Sequence, residues 1–120
     1  MTTRKLLFEM TADSTTFRIA DTRPPLEEVS ETGSGTFRGM SIRFLYTVKV
    51  SPGPKVDRIA GNGILYASGG RAPYRIIGTA AGGPDFSERV RGTWTFASRC
   101  TGALRMFRNI KASFVTSVDA

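Results

Sequence analysis

Few residue types in this chain could carry chemistry, and the absence of histidine narrows them further. The 120 residues include no histidine and one cysteine, Cys100. This composition excludes histidine-dependent nucleophile triads, histidine general bases and imidazole-ligated metal sites. Any reaction must therefore use carboxylates, phenols, lysine or arginine groups, the Cys100 thiol or backbone dipoles. We expect a chemistry that needs neither metal nor cofactor.

Glu88 and Tyr46 are the candidate catalytic residues. Strand alternation puts Glu88 on the same face as Val90 and Trp94, and a carboxylate among apolar groups can act as a general acid or base near neutrality. Tyr46 shares the apolar register of segment 40–50, from which its phenol could polarise a carbonyl. The alternatives are a solvated rim position for Glu88 and a core tyrosine with a satisfied hydroxyl for Tyr46.

Large apolar and aromatic side chains supply a candidate ligand-binding surface. Its predicted members are Met40, Phe44, Tyr66, Tyr74, Trp94, Phe96 and Phe114. Each could instead be plain core, and a single tryptophan in a barrel is more often core than a ligand wall. The face of Tyr66 stays undecided, because Gly61 and Gly63 interrupt its strand. Cys100 follows Arg99, which could lower the thiol pKa, but a turn cysteine without a reactive role is favoured.

The elements that must position these side chains are predicted to be β-strands. Segment 40–50, MSIRFLYTVKV, alternates strictly between apolar and mostly polar residues, as a strand with one buried face does. The predicted strands are Lys5–Thr11, Thr16–Ala20, Thr36–Val50, Val56–Ser68, Tyr74–Ala81, Phe86–Ser98 and Asn109–Val118. Segment 21–35 is acidic and rich in proline and glycine, so it is predicted to be a loop and the lid of a binding site.

Short turns between these strands favour an antiparallel, up-and-down order. SPGPK (51–55), for example, combines proline and glycine in a way that is typical of a chain reversal. Closing a small sheet into a barrel removes its edges, and about eight strands leave room for one small ligand. We therefore predict an all-β fold for residues 1–120: a single antiparallel, up-and-down barrel of roughly eight strands with an apolar cavity.

The charge is basic and unevenly distributed. The chain carries a formal net charge of +7, and the excess of cations lies after residue 40. The cations predicted to face outward are Arg43, Lys49, Arg75, Arg89, Arg91 and Lys111. Such a wall could bind nucleic-acid phosphates, but the aromatic residues needed for base stacking are predicted to face the other way. A solvated outer face is therefore favoured, and a nucleic-acid partner is the weaker alternative.

The expected location is the cytoplasm. A lone cysteine favours a reducing compartment. The N-terminal segment 1–10 has only a short apolar run broken by Glu9, so we expect neither a signal peptide nor a membrane span. The expected partner is a hydrophobic small molecule, and no association with a membrane is expected. Homodimer formation is left open.

Several motifs resemble those of the allene oxide cyclase and dirigent superfamily of β-barrels. Segment 92–114, GTWTFASRCTGALRMFRNIKASF, resembles the closing hairpin of that barrel. Segments 61–66 (GNGILY) and 74–80 (YRIIGTA) are similar in spacing to small bacterial members, some of which are spirotetronate-forming cyclases. The acidic strand-one motif of the plant cyclases is not matched, since Glu9 is the only acid there. Their catalytic residues are therefore not transferred to this chain.

The resemblance and the composition together suggest a cofactor-independent cyclase or isomerase. A hydrophobic polyene or enone would be held inside the barrel in a reactive conformation, with Tyr46 or Glu88 polarising one carbonyl. A non-catalytic barrel that carries a hydrophobic ligand, or a filled barrel with an interaction role, is the alternative from another class. A basic nucleic-acid-binding barrel is the third.

Overall fold

The structure, a computed structural model, describes residues 9–22, 25–82 and 88–118. These residues contain seven strands and one short 3₁₀ helix. The strands are β1 (Glu9–Thr22), β2 (Pro25–Phe37), β3 (Met40–Ser51), β4 (Asp57–Ala67), β5 (Gly70–Gly82), β6 (Glu88–Phe96) and β7 (Lys111–Val118). The 3₁₀ helix, Gly102–Phe107, lies in the connection between β6 and β7.

The strands form one antiparallel sheet in which each strand pairs with the next along the chain. The sheet curls into a half-barrel that is not closed, and β1 and β7 lie at its two edges. The prediction of an all-β, up-and-down architecture is confirmed. The prediction of a closed barrel of about eight strands is wrong, because closure depends on strand number and stagger together and not on alternation within each strand.

The first part of the sheet differs most from the sequence-based prediction. One strand, β1, covers the region predicted as two, with irregular register between Ala12 and Ser14; the start of the predicted strand Lys5–Thr11 lies outside the described residues. Most of segment 21–35, predicted to be a loop, belongs to β2. β2 pairs with β1 on one side and β3 on the other. Pairing on both sides holds a polar segment in a strand that its composition alone does not favour.

A tight turn at Arg38–Gly39 divides the predicted strand Thr36–Val50 into the end of β2 and the whole of β3. Both turn residues have positive φ, +48° for Arg38 and +78° for Gly39. Two successive residues of this kind suit the two-residue turns whose twist matches that of the flanking strands. The prediction missed this turn because an arginine rarely adopts positive φ.

The core of the protein covers the concave face of the sheet. Along β3, Ile42, Phe44 and Val48 are buried, while the residues between them are exposed. The predicted alternation of segment 40–50 is therefore confirmed. Burying one face of a curled sheet in this way is the main favourable contribution to its folding.

The connection between β6 and β7 covers one end of the concave face. Leu104 and Phe107 of the 3₁₀ helix are buried, and the Phe107 ring lies 5.2 Å from Phe37 and 5.0 Å from Phe96. Backbone hydrogen bonds from Ala97 to Pro73 and from Thr101 to Arg71 tie this connection to β5. Within the described ranges, no helix has the length and apolar character needed to cross a bilayer.

Candidate functional site

A single row of neighbouring residues crosses the middle of the concave face from β2 to β6. In this row Glu31 is opposite Tyr46, Tyr46 opposite Gly63, Gly63 opposite Tyr74, and Tyr74 opposite Phe96. Directly opposed residues in an antiparallel pair have their side chains in contact range on the same face. The row therefore brings two phenols and one carboxylate together inside a mostly apolar surface.

The Tyr46 hydroxyl donates a hydrogen bond to Oε2 of Glu31. Both residues are half-buried, and the Tyr46 ring stacks on Phe44 at 5.8 Å. Desolvation by burial raises the pKa of Tyr46 well above its ordinary range, and the hydrogen bond and charge of Glu31 raise it further. The neutral phenol is thus held as a hydrogen-bond donor toward the carboxylate.

Tyr74 is the more deeply buried phenol of the row, with only 3% of its surface exposed. Its ring stacks on Trp94 at 4.3 Å, and its hydroxyl has no hydrogen-bond partner among the described residues. A Cβ on Gly63 would overlap this phenol. The Tyr74 ring therefore occupies space that is free only because Gly63 has no side chain. Burial raises the pKa of Tyr74 well above its ordinary range.

Most of the predicted ligand-binding residues meet on this face. Phe44, Tyr74, Trp94 and Phe96 are buried, and Met40, Tyr46 and Phe114 are half-buried against them. The Phe114 ring lies 5.9 Å from Trp94, which extends the aromatic cluster to β7. These residues form an aromatic surface in an open half-barrel, and they do not line an enclosed hollow.

Tyr66 does not join this cluster. It alternates with Leu65, which is fully buried, so it lies on the convex face, where 36% of its surface is exposed. Its cross-strand neighbours are Arg43 on β3 and Arg71 on β5. Glycines at 61 and 63 leave the pleat of β4 intact, and Tyr66 follows the ordinary alternation of its strand.

The second predicted catalytic residue, Glu88, is described only by its backbone. It begins β6, opposite Gly82 on β5 and Val118 on β7. Its position is two residues before Val90, on the same face of the strand. Its side chain lies outside the described residues, so a catalytic role for Glu88 stays a prediction. Among the described residues, no three histidine, cysteine, aspartate or glutamate groups come together as a metal site would require.

Glu31 is the functional candidate that the sequence analysis missed. The composition of segment 21–35 predicts a loop there, although Val29, Glu31 and Phe37 are separated by even numbers of positions and would share one face of a strand. That faint alternation was the available signal, and the polar residues between them obscured it. With β2 as a strand and a two-residue turn at Arg38–Gly39, the register places Glu31 opposite Tyr46.

Cys100 lies buried in the connection between β6 and β7. Its thiol is fully buried and donates to the backbone carbonyl of Ala97 at 3.2 Å. Desolvation raises the pKa of this thiol, and the nearby Arg108 guanidinium opposes that shift. A buried thiol with a raised pKa is a poor nucleophile, which agrees with the favoured interpretation of Cys100.

The convex face carries a separate, open groove of about 720 Å³ across β3, β4 and β5. Thr47, Asn62 and Arg75 lie directly opposite one another on these three strands and cross the middle of the groove. Leu45 and Ile64 lie toward one end of the groove, and Lys49 and Ile77 toward the other. The groove therefore combines aliphatic surface with two cations.

Comparison with known proteins identifies no relative for this chain. No protein-family model matches it, and neither the curated proteins nor the solved structures contain a match. The class that the fold supports is a curled antiparallel β-sheet, a half-barrel with a buried aromatic cluster. Membership of the allene oxide cyclase and dirigent superfamily is not shown.

The Tyr74→Phe variant is expected to be more stable than the wild type at neutral pH, by about 1 kcal/mol. A buried hydroxyl without a partner costs free energy that phenylalanine does not incur. At alkaline pH, the wild type should lose stability as the pH rises above about 10, because the unfolded chain releases tyrosine protons that the folded chain retains.

Chemical denaturation of both proteins at a series of pH values between neutral and strongly alkaline measures this difference. The free energy of unfolding should fall less steeply with pH in Tyr74→Phe, because the variant lacks one phenol that stays protonated in the folded state and ionises in the unfolded state. Identical slopes in the two proteins would contradict the burial of the Tyr74 phenol.

Proposed function

We propose that this protein binds a hydrophobic, carbonyl-bearing small molecule on its concave face and catalyses proton transfer on it. The observation that carries the proposal is the combination of the Tyr46–Glu31 hydrogen bond with the unpartnered hydroxyl of Tyr74 on the same row. A buried donor without a partner is costly. A ligand oxygen that displaces the side chains covering this hydroxyl would satisfy it.

The apolar part of the ligand would lie along the aromatic cluster. Trp94 and Phe114 extend from the phenols toward β7, and Phe44 stacks beside Tyr46. A conjugated, flat molecule suits such rings because offset stacking adds to the burial of apolar surface. The open side of the half-barrel gives it a route to the half-buried Tyr46.

The proposed reaction is a double-bond migration in an enone. The Tyr74 hydroxyl donates to the carbonyl oxygen and stabilises the charge that develops there. The Glu31 carboxylate removes a proton from the carbon next to the conjugated system and returns it to a different carbon, so that no atom or electron is gained or lost. The Tyr46 hydroxyl holds Glu31 in position and donates to it.

A hydrogen-exchange experiment tests this proposal with β-ionone, a small conjugated enone, as the probe. The probe is incubated with the protein in D₂O, and deuterium entering its enolisable positions is followed by NMR. The wild type should accelerate exchange, and Glu31→Gln should slow it by about a hundredfold or more, as expected for loss of a general base. Glu27→Gln serves as the matched control, because it removes a carboxylate from the same strand, β2, and the same face as Glu31.

The same experiment separates the alternatives. If Glu88→Gln abolishes exchange while Glu31→Gln does not, the base is the residue predicted from sequence and the assignment of Glu31 is wrong. If the wild type binds the enone, with an absorbance shift that Tyr74→Phe removes, but does not accelerate exchange, the protein is a carrier and the catalytic part fails. Absence of both binding and exchange contradicts the concave face as a site for this ligand class.

A further inference from the structure

From β3 to β7, the charged side chains described on the convex face of the sheet are all cationic. Every lysine and arginine that faces outward from β3 to β7 is exposed, including Arg58, Arg91 and Lys111, and no aspartate or glutamate occupies an outward position on these described strands. On the neighbouring β2, Glu28 lies across from Lys49 but forms an ion pair with Arg18 at 3.3 Å. The field over the described strands β3 to β7 therefore attracts anions, because Glu28 is already paired with Arg18.

One aromatic ring stands among these cations. Tyr66 is exposed on β4, and its two cross-strand neighbours are Arg43 and Arg71. Opposed residues in adjacent strands are about 5 Å apart, so both guanidinium groups can reach a phosphate beside anything stacked on the ring. An exposed ring flanked by cations is the element that base stacking requires and that the sequence analysis expected to be absent from this face.

The groove continues this surface along the same strands. Its middle row presents a hydroxyl, an amide and a guanidinium from Thr47, Asn62 and Arg75, which can hydrogen-bond to phosphates and base edges. The groove and Tyr66 both lie on β3–β5, so one flexible chain could contact both. A polymer with regularly spaced anions fits this arrangement better than a single small anion does.

We propose that the convex face binds single-stranded nucleic acid, with Tyr66 stacking on a base while Arg43, Arg71 and Arg75 contact phosphates. An anionic membrane fits less well, because the exposed aliphatic residues Ile77 and Val115 lie on different rows of the sheet. The tryptophan and most phenylalanines, which would anchor a protein at a bilayer surface, point to the concave face. This site is distinct from the proposed enone site on the opposite face.

Fluorescence anisotropy with a labelled oligothymidylate of about 15 nucleotides tests the proposal across a range of salt concentrations. The wild type should bind, with the logarithm of affinity falling linearly with the logarithm of salt concentration. Arg43→Gln and Arg71→Gln should each reduce the magnitude of that slope by about 0.7. Arg105→Gln removes the same charge from the exposed surface of the 3₁₀ helix and should leave the slope unchanged.

The Tyr66 variants separate stacking from charge. Tyr66→Ala should weaken binding by about fivefold or more at constant salt, without changing the dependence of affinity on salt concentration. Tyr66→Phe should retain the affinity of the wild type. Equal losses in Arg43→Gln and Arg105→Gln would overturn the proposal, because binding would then follow net charge alone. So would cosedimentation with phosphatidylglycerol vesicles in the absence of oligonucleotide binding.

Discussion

Replacing Phe96 with alanine is expected to lower the free energy of unfolding by about 3–5 kcal/mol. Phe96 is 1% exposed, and its ring lies 5.5 Å from Tyr74, 6.2 Å from Trp94 and 5.0 Å from Phe107. Truncation would remove the hydrophobic contribution of the ring and leave a cavity bordered by three other rings. Aromatic rings that are stacked on one another cannot collapse freely into such a space, so most of the cavity cost should remain.

Urea denaturation followed by the fluorescence of Trp94, the single tryptophan, measures this loss. Phe96→Leu retains most of the volume and should cost less than half as much as Phe96→Ala. Ile77→Ala truncates a residue that is 60% exposed on the convex face, and it should change stability by no more than about 0.5 kcal/mol. A similar loss in Phe96→Ala and Ile77→Ala would contradict the burial of this cluster.

Phe96 matters to the candidate site because it joins two parts of the concave face. On one side it contacts the Tyr74–Trp94 stack, and on the other it contacts Phe107, which leads to Phe37 at the covered end of the half-barrel. Tyr74 is thus held in place by rings that the 3₁₀ helix itself helps to pack. Stability and the position of the phenol depend on the same residues.

The parts of the fold that could be predicted from the sequence are those that depend on a single strand. Alternation of apolar and polar residues along β3 correctly placed Phe44 inward and Arg43 outward, because the pleat allows only two directions. The same argument correctly put Arg75 and Lys111 on the outer face. No knowledge of the neighbouring strands was needed for these residues.

The parts that could not be predicted depend on contacts between strands. β2 contains few apolar residues, so its strand conformation is imposed by pairing with β1 and β3, and Glu31 was missed with it. Whether a curled sheet closes depends on the number and stagger of all its strands, which no local pattern records. The pairing of Tyr46 with Glu31, and of Tyr66 with two arginines, became apparent only once the register was known.

Gly102→Ala is expected to destabilise the protein by about 2–5 kcal/mol. Gly102 begins the 3₁₀ helix with a φ of +57°, a conformation that costs about 1–2 kcal/mol for an alanine. A Cβ there would also overlap the carbonyl oxygen of Gly69 and lie 2.8 Å from the Cα of Gly70. Both obstacles are backbone atoms of the turn between β4 and β5, which cannot move aside as the end of a side chain can, and such overpacking costs about 1–3 kcal/mol more.

Gly39→Ala isolates the steric part of this effect. Gly39 also has positive φ, +78°, but nothing lies within 4 Å of where its Cβ would be. The free energy of unfolding of this variant should therefore fall only by the conformational cost of about 1–2 kcal/mol. The difference between the two variants in urea denaturation measures how tightly the 3₁₀ helix packs against the β4–β5 turn. Equal losses would mean that the helix is not held there, and that Leu104 and Phe107 do not cover the end of the half-barrel in the way that the position of Tyr74 requires.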